Sequence, residues 1–177
     1  DNEVNIKILL NSLVQGGDLT TKQRNKLLYD MTDEVGDIVI KDCYRQTHSL
    51  SITAMRGANQ LREQVRFIHE LERKGKLDRN LEFIPDDEEI ADRLAESKGL
   101  TRPELSVLLA YSKMVLKDDL VHTEITDNPY HHNLLIEAFP QKLRKKYKQH
   151  MHLHPLRAEI IATKLANKIG NDMGFNF

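Results

Sequence analysis

The residues with the plainest chemical potential are three alternating histidines, His150, His152 and His154, with a pair, His131 and His132, upstream. On a helix, His150 and His154 share a face at the i, i+4 spacing that chelates zinc. A hydrolytic zinc helix also needs a Glu directly after the first His. Here Met151 follows His150, and Pro155 closes the run. Solvated or helix-capping histidines are the simpler reading. Lys142, Arg144, Lys145, Lys146 and Lys148 can meet phosphate or an anionic surface. Leu143 and Tyr147 between them face the other way, so the run reads as the wet side of an amphipathic helix. Cys43 falls on a helical stripe of Val35, Val39, Cys43, Thr47, Leu50 and Ala54. That placement predicts a buried, inert thiol rather than a nucleophile. Ser49 beside His48 carries little, because adjacent helical residues point about 100° apart.

A short helix around Glu89–Ala95, a turn at Gly99 and a second helix capped by Thr101-Arg102-Pro103-Glu104 have the outline of a helix-turn-helix. A DNA-binding regulator is therefore the alternative function. The charges oppose it: only Arg102 opens the second helix, and Asp86, Asp87, Glu88 and Glu89 lead the first. The chain contains no G-x-G-x-x-G or G-x-x-x-x-G-K-[ST] loop, no G-x-S-x-G elbow and no H-E-x-x-H. No catalytic, cofactor-binding or metal-ligating residue is assigned.

The elements that would position such groups follow from composition and period. The chain has 177 residues, with 26 Lys+Arg against 27 Asp+Glu and a net charge of −1. That balance argues against a dedicated nucleic-acid module. Gly and Pro number 8 and 5, well under the roughly 12% of average proteins, which favours long helices. No apolar run reaches the ~20 residues of a membrane span, and the single cysteine suits a reducing, cytoplasmic setting. The chain starts at Asp1 with no leader and stops at Phe177, as an excised fragment would.

Apolar spacing predicts an all-α, bundle-like fold of seven or eight helices. The first helix, 4–14, is apolar on several sides and stops at Gly16-Gly17, with a strand at Val4–Leu10 as the alternative. Such uniform apolarity marks Val4–Leu10 as the expected bare interface. A capping box at Thr20–Gln23 starts a helix over 21–31. Thr32 reads as the N-cap of the next, in which Ile38-Val39-Ile40 alone could pass for strand. Leu61, Val65, Ile68 and Leu71 line a further helix. Leu77–Pro85 is a connector anchored by Leu81, Phe83 and Ile84. A helix from Asp86 buries Ile90, Leu94 and Ala95 and closes at Gly99. A longer one, to about His122, turns Leu105, Leu108, Leu109 and Ser112 inward. Helices over 130–138 and 140–150, the second lined by Phe139, Leu143 and Tyr147, precede a last one over 155–169. Residues 1–15 read as an exit segment from a preceding domain. Residues 16–177 read as one helical domain, divisible into 16–84 and 85–177.

Several strings within these helices resemble the large bacterial NAD-specific glutamate dehydrogenases. They include Asp1–Ile8, Gly17-Asp18-Leu19-Thr20, Met31-Thr32-Asp33-Glu34-Val35, Arg66-Phe67-Ile68 and Leu77-Asp78-Arg79. The block Gly99–Leu105 with Leu108–Lys113, then Glu159–Thr163 and Leu165-Ala166-Asn167, continue the likeness over nearly the whole chain. Asn2 stands where the family's His is expected, and Cys43 where Asn is expected. The resemblance implies a parent enzyme that deaminates L-glutamate oxidatively and passes a hydride to NAD. It implies that the catalytic and NAD-binding elements lie N-terminal to Asp1, so that this part alone is inactive. It also implies a structural, interdomain or regulatory role. The expected partners are the catalytic domain of the same chain and further copies of the parent in a homo-oligomer, with no nucleic acid and no membrane.

Overall fold

The computed structural model describes residues 2–174. It consists of α1 (Asn2–Gln15), α2 (Thr21–Asp30), α3 (Thr32–Arg56), α4 (Leu61–Arg73), α5 (Arg79–Glu82), α6 (Asp87–Ala95), α7 (Arg102–Val121), α8 (His132–Glu137), α9 (Gln141–His152) and α10 (Arg157–Met173). Short 3-10 turns lie at Gly57–Gln60, Glu124–Asp127 and Pro129–His131. Eight of the helices have seven residues or more, and no strand occurs among the described residues. Val4–Leu10 and Ile38–Ile40, which could have been strand, are both helical.

The helix ends follow their local chemistry. α1 stops where Gly17 takes φ +81°, which lets the Asp18 amide donate back to the Leu13 carbonyl at 2.9 Å. Thr20 and Gln23 form the expected capping box. The Gln23 amide donates to Thr20 Oγ1 at 3.2 Å, and the Thr20 amide to Gln23 Oε1 at 2.9 Å. Thr32 does not cap α3. It is the first residue of that helix, and its hydroxyl donates back to the Tyr29 carbonyl at 3.0 Å, closing α2. α6 is capped by Asp86, which accepts from the Glu89 amide at 2.8 Å. Its end is made by Ser97 at φ +56°, with the Lys98 amide on the Arg93 carbonyl at 2.8 Å, not by Gly99. Gly99 is needed for space: a Cβ there would lie 2.7 Å from the Gly57 carbonyl carbon.

The chain divides into two compact units, Asp1–Cys43 with Leu116–Ala166, and Tyr44–Val115 with Asn167–Phe177. Each is discontinuous, and α3, α7 and α10 contribute to both. The first unit has its own core, in which Leu9, Leu10 and Leu13 of α1 meet Phe139, Leu143 and Met151. The second has another, built on Leu61, Ile68 and Leu71 of α4 with Leu105, Leu108 and Leu109 of α7. Each such side chain, fully buried, contributes about 1.5–3 kcal/mol.

Some expected burial is absent. Val4–Leu10 is no bare interface: Ile6, Leu9 and Leu10 are buried within the first unit. Cys43 is exposed, as are Val39 and Thr47. Farther along α3, Ser49 and Thr53 are buried, and Leu50 and Ala54 of the expected stripe pack, partly buried, against the second unit's core. Leu81 and Phe83 are exposed, and Ile84 alone of the three anchors is buried. Phe83 ends α5 at φ +54°, which turns its ring to solvent. Leu94 and Ala95 are also exposed, so nine-residue α6 is held by Ile90.

Candidate functional site

In the first unit the histidines go to separate partners. α9 ends at His152, so His154 lies past its last turn and never shares an i, i+4 face with His150. His150 Nε2 lies 3.2 Å from Asp18 Oδ2. The His152 ring sits 5.1 Å from that of His132. Partial burial, then the charges of His132, Lys148 and Arg157, hold the His152 pKa below the usual imidazole value. His154 is buried. Its Nδ1 accepts from the Leu156 amide at 3.1 Å, and its Nε2 lies 3.1 Å from the Asn5 carbonyl. Those two partners assign a neutral ring with the proton on Nε2. Burial lowers its pKa, against the opposite pull of the Asn5 carbonyl and Glu159. Among the described residues no three His, Cys, Asp or Glu side chains are placed to hold a metal ion.

The basic run divides by location. Lys145, Lys146 and Lys148 are exposed, while Leu143 and Tyr147 are buried as the amphipathic reading expects. Lys142 donates to the Asp30 carbonyl. Arg144 donates from Nε to the Phe139 carbonyl at 2.6 Å and from Nη2 to the Glu137 carbonyl at 3.1 Å. Both close helix ends, α2 and α8, whose last carbonyls lack intrahelical donors.

The second unit carries the tightest polar cluster. Arg93 near the end of α6 grips Glu104 on α7 with two bonds, Nη1 to Oε2 at 2.7 Å and Nη2 to Oε1 at 2.9 Å. Glu89 accepts from the same Nη2 at 2.6 Å. Glu104 Oε2 also accepts from the Thr101 amide at 2.7 Å, so one carboxylate caps α7 and anchors α6. Burial pushes the Glu104 carboxyl up, but the bonds from Arg93 and Thr101 outweigh it and hold it below the usual carboxylate range. A second knot centres on Arg79, whose Nη1 donates to Asp87 at 2.8 Å and to the Pro85 carbonyl at 3.2 Å and whose Nε faces Glu72 at 3.0 Å as an ion pair without hydrogen-bond geometry. Glu82 accepts from the Tyr111 hydroxyl at 2.7 Å, and that bond raises the phenol's pKa. The sequence signal for the Arg93 bridge was half visible: Glu104 is the third residue of a capping box, but its partner 11 positions back has no periodic relation to it.

These bonds also occupy the charged residues of the helix-turn-helix outline. Arg102, the one cation opening the second helix of the helix-turn-helix outline, donates to Ser51 Oγ at 2.9 Å, and Glu104 is engaged by Arg93. Asp86 to Glu89 stand exposed where phosphate would have to approach. The amides of Gln23, Asn80, Leu81 and Glu89 are held by Thr20, Asp78 and Asp86 side chains, which cap their helices.

The bonds of Lys142, Arg144, Arg93 and Glu104 fasten helix ends. Residues 97–177 match the family described as glutamate dehydrogenase, C-terminal, and residues 1–53 match the catalytic domain of bacterial NAD-glutamate dehydrogenase. The catalytic-domain match runs past residue 15, through α2 and most of α3. All 177 residues align with curated proteins named NAD-specific glutamate dehydrogenase. Identity is 48% to that of Pseudomonas aeruginosa, 46% to that of Halomonas elongata and 36% to that of Mycobacterium tuberculosis. The chain spans 11% of the length of each. It belongs to the family of large bacterial NAD-specific glutamate dehydrogenases. Nothing in these likenesses supports a DNA-binding regulator. No helix among the described residues is long and apolar enough to cross a membrane.

Proposed function

We propose that this chain is a non-catalytic coupling segment of a glutamate dehydrogenase. In this reading the full-length protein converts L-glutamate, NAD and water to 2-oxoglutarate, ammonia and NADH in the cytoplasm. Residues 1–177 join the end of its catalytic domain to its helical C-terminal region. The observation that carries the reading is the placement of the two family matches. One covers 1–53 and the other 97–177, and residues of both share one core, in which Leu9, Leu10 and Leu13 meet Phe139, Leu143 and Met151. A packed core holds the two matched stretches to each other, where a flexible linker would not.

The charged clusters fit that role. Arg93 and Arg79 are largely covered and hold α6 to α7 and the Leu77–Pro85 connector to α4 and α6. Side chains engaged in this way orient helices. NAD and glutamate are bound elsewhere in the full-length chain, and no step of the reaction is assigned to these residues. The test is to mix the purified 177-residue chain with L-glutamate and NAD and follow NADH absorbance. A flat trace beside a rising one from the full-length enzyme is expected. Turnover by the short chain, in proportion to its concentration, would refute the reading.

A further inference from the structure

Arg24 Nε, Tyr147 Oη and His150 Nδ1 are buried and have no hydrogen-bond partner among the described residues. All three belong to the first unit. A buried polar atom without a partner is costly, and native proteins hold few of them. Two contacts fix where these atoms stand. Lys142, near the start of α9, donates to the carbonyl of Asp30, the last residue of α2. His150, near the end of α9, pairs through Nε2 with Asp18, just ahead of α2, at 3.2 Å. The two helices therefore run antiparallel along each other. At 1.5 Å per residue, Arg24 lies about 9 Å from Asp30 along α2, and Tyr147 about 7.5 Å from Lys142 along α9, which puts them at one level. Both also face one core. Arg24 precedes Leu27, Leu28 and Met31 at the spacing of a single helical face, and those residues pack in the core that includes Tyr147. Tyr147 is 4% exposed. His150 stands edge-on to it, with 6.1 Å between ring centroids.

The chemistry of these atoms selects a ligand. Arg24 Nε and the Tyr147 hydroxyl are donors, and His150 Nδ1 is a third when its ring is protonated. Arg24 Nη1 turns to Asn25 Oδ1 at 3.3 Å, which leaves Nε as the inward donor. The surrounding charge has the same preference. α9 carries Lys142, Arg144, Lys145, Lys146 and Lys148 and no acid, and α2 sets Lys22, Arg24 and Lys26 against Asp30. Lys146 lies over the Tyr147 ring, 5.2 Å from its centroid. Asp18 is engaged on the other nitrogen of His150, and the His150 side chain, 39% exposed, gives a small solute an approach from water. We propose that Arg24, Tyr147 and His150 form a binding site for a small oxyanion, a carboxylate or phosphate group, between α2 and α9. Each donor then meets an anionic oxygen in a charge-assisted bond. A bound oxyanion ties α2 to α9, so the stability of the first unit rises with the concentration of the solute. The site is separate from any reacting atom, and its occupant acts as an effector rather than a substrate.

The experiment is thermal unfolding of the purified 177-residue chain in inorganic phosphate or acetate, each against chloride at matched ionic strength. At least one oxyanion should raise the midpoint above that in chloride, increasingly with its concentration. A response to phosphate alone identifies a phosphate group, and a response to acetate alone a carboxylate. Tyr147→Phe removes one donor and keeps the ring. Without oxyanion it should unfold at the wild-type midpoint or above it, because an unpartnered hydroxyl is gone. Its apparent affinity, read from the concentration dependence of the midpoint, should fall about ten-fold or more, and Arg24→Gln should do the same. Exclusion of phosphate from the surface stabilises any protein, and the two variants control for it. Equal midpoints in phosphate, acetate and chloride would overturn the proposal. So would a rise that either variant retains in full, since the anion would then sit elsewhere. Neither result bears on whether the segment is catalytic, which the NADH assay of the short chain reads separately.

Discussion

Replacing Arg93 by Met tests the scaffold at its tightest point. The side chains of Arg93 and Glu104 are 17% and 12% exposed, so the pair is largely withdrawn from water. Removal of the guanidinium strips Glu104 of two charge-assisted bonds and leaves its carboxylate with the Thr101 amide. Breaking one partner of a buried pair costs ~3–5 kcal/mol, and partial exposure here brings the expected loss to about 2–3 kcal/mol. The contact to Glu89 adds little, because that side chain is 55% exposed. Glu104→Leu alone should cost about as much, since it also uncaps α7. The double variant should lose well under the sum of the two, because neither charge is then left unpaired. Urea unfolding of the purified chain, followed by far-ultraviolet circular dichroism, measures all three. The pH profile supplies the sign. The folded Glu104 carboxyl titrates below its unfolded value of 4.5. Its contribution is therefore complete above pH 4.5 and fades as pH falls through the folded value. Arg93→Met should flatten that acid limb. A loss below about 0.5 kcal/mol, or additive single and double variants, would refute the reasoning.

Three more outcomes follow from single residues. His154 is buried neutral with a pKa below 6.5, so the folded chain binds its proton less readily than the unfolded chain. Stability should be level in this term above pH 6.5 and fall as pH drops below it, and His154→Gln should remove that slope in denaturant titrations. Gly99→Ala places a Cβ 2.7 Å from the backbone of Gly57, which cannot swing aside; a loss of about 2 kcal/mol or more is expected in the same assay. Cys43 is exposed, so a maleimide should label the native short chain to completion without denaturant.

Much of the fold was legible because helices announce themselves locally. The Thr20–Gln23 box, the glycine stop of α1 and the Phe139, Leu143, Tyr147 stripe each depend on residues within a turn or two. The misreading of α3 has a geometric cause. Val35, Val39, Cys43 and Thr47 are spaced by four, and each step of four overshoots a full turn by about 40°. Three such steps carry the stripe some 120° round the helix, from the covered side at Val35 to the exposed side at Thr47. Leu81 and Phe83 failed for a different reason: a connector has no period, so apolar type alone cannot say which way a side chain points. His150 and His154 share no helical face because α9 ends at His152, two residues before the second of them. The Arg93–Glu104 bridge is a tertiary contact between α6 and α7, and no local rule reports it.

The sharpest test of a scaffolding rather than reacting segment is kinetic. Arg93→Met should be introduced into the full-length enzyme, and kcat, KM for glutamate and NAD, and the temperature of inactivation measured together. The account predicts kcat and KM within about two-fold of wild type with inactivation several degrees lower. A fall in kcat of about a hundred-fold with no change in inactivation temperature would place Arg93 in the chemistry and contradict it.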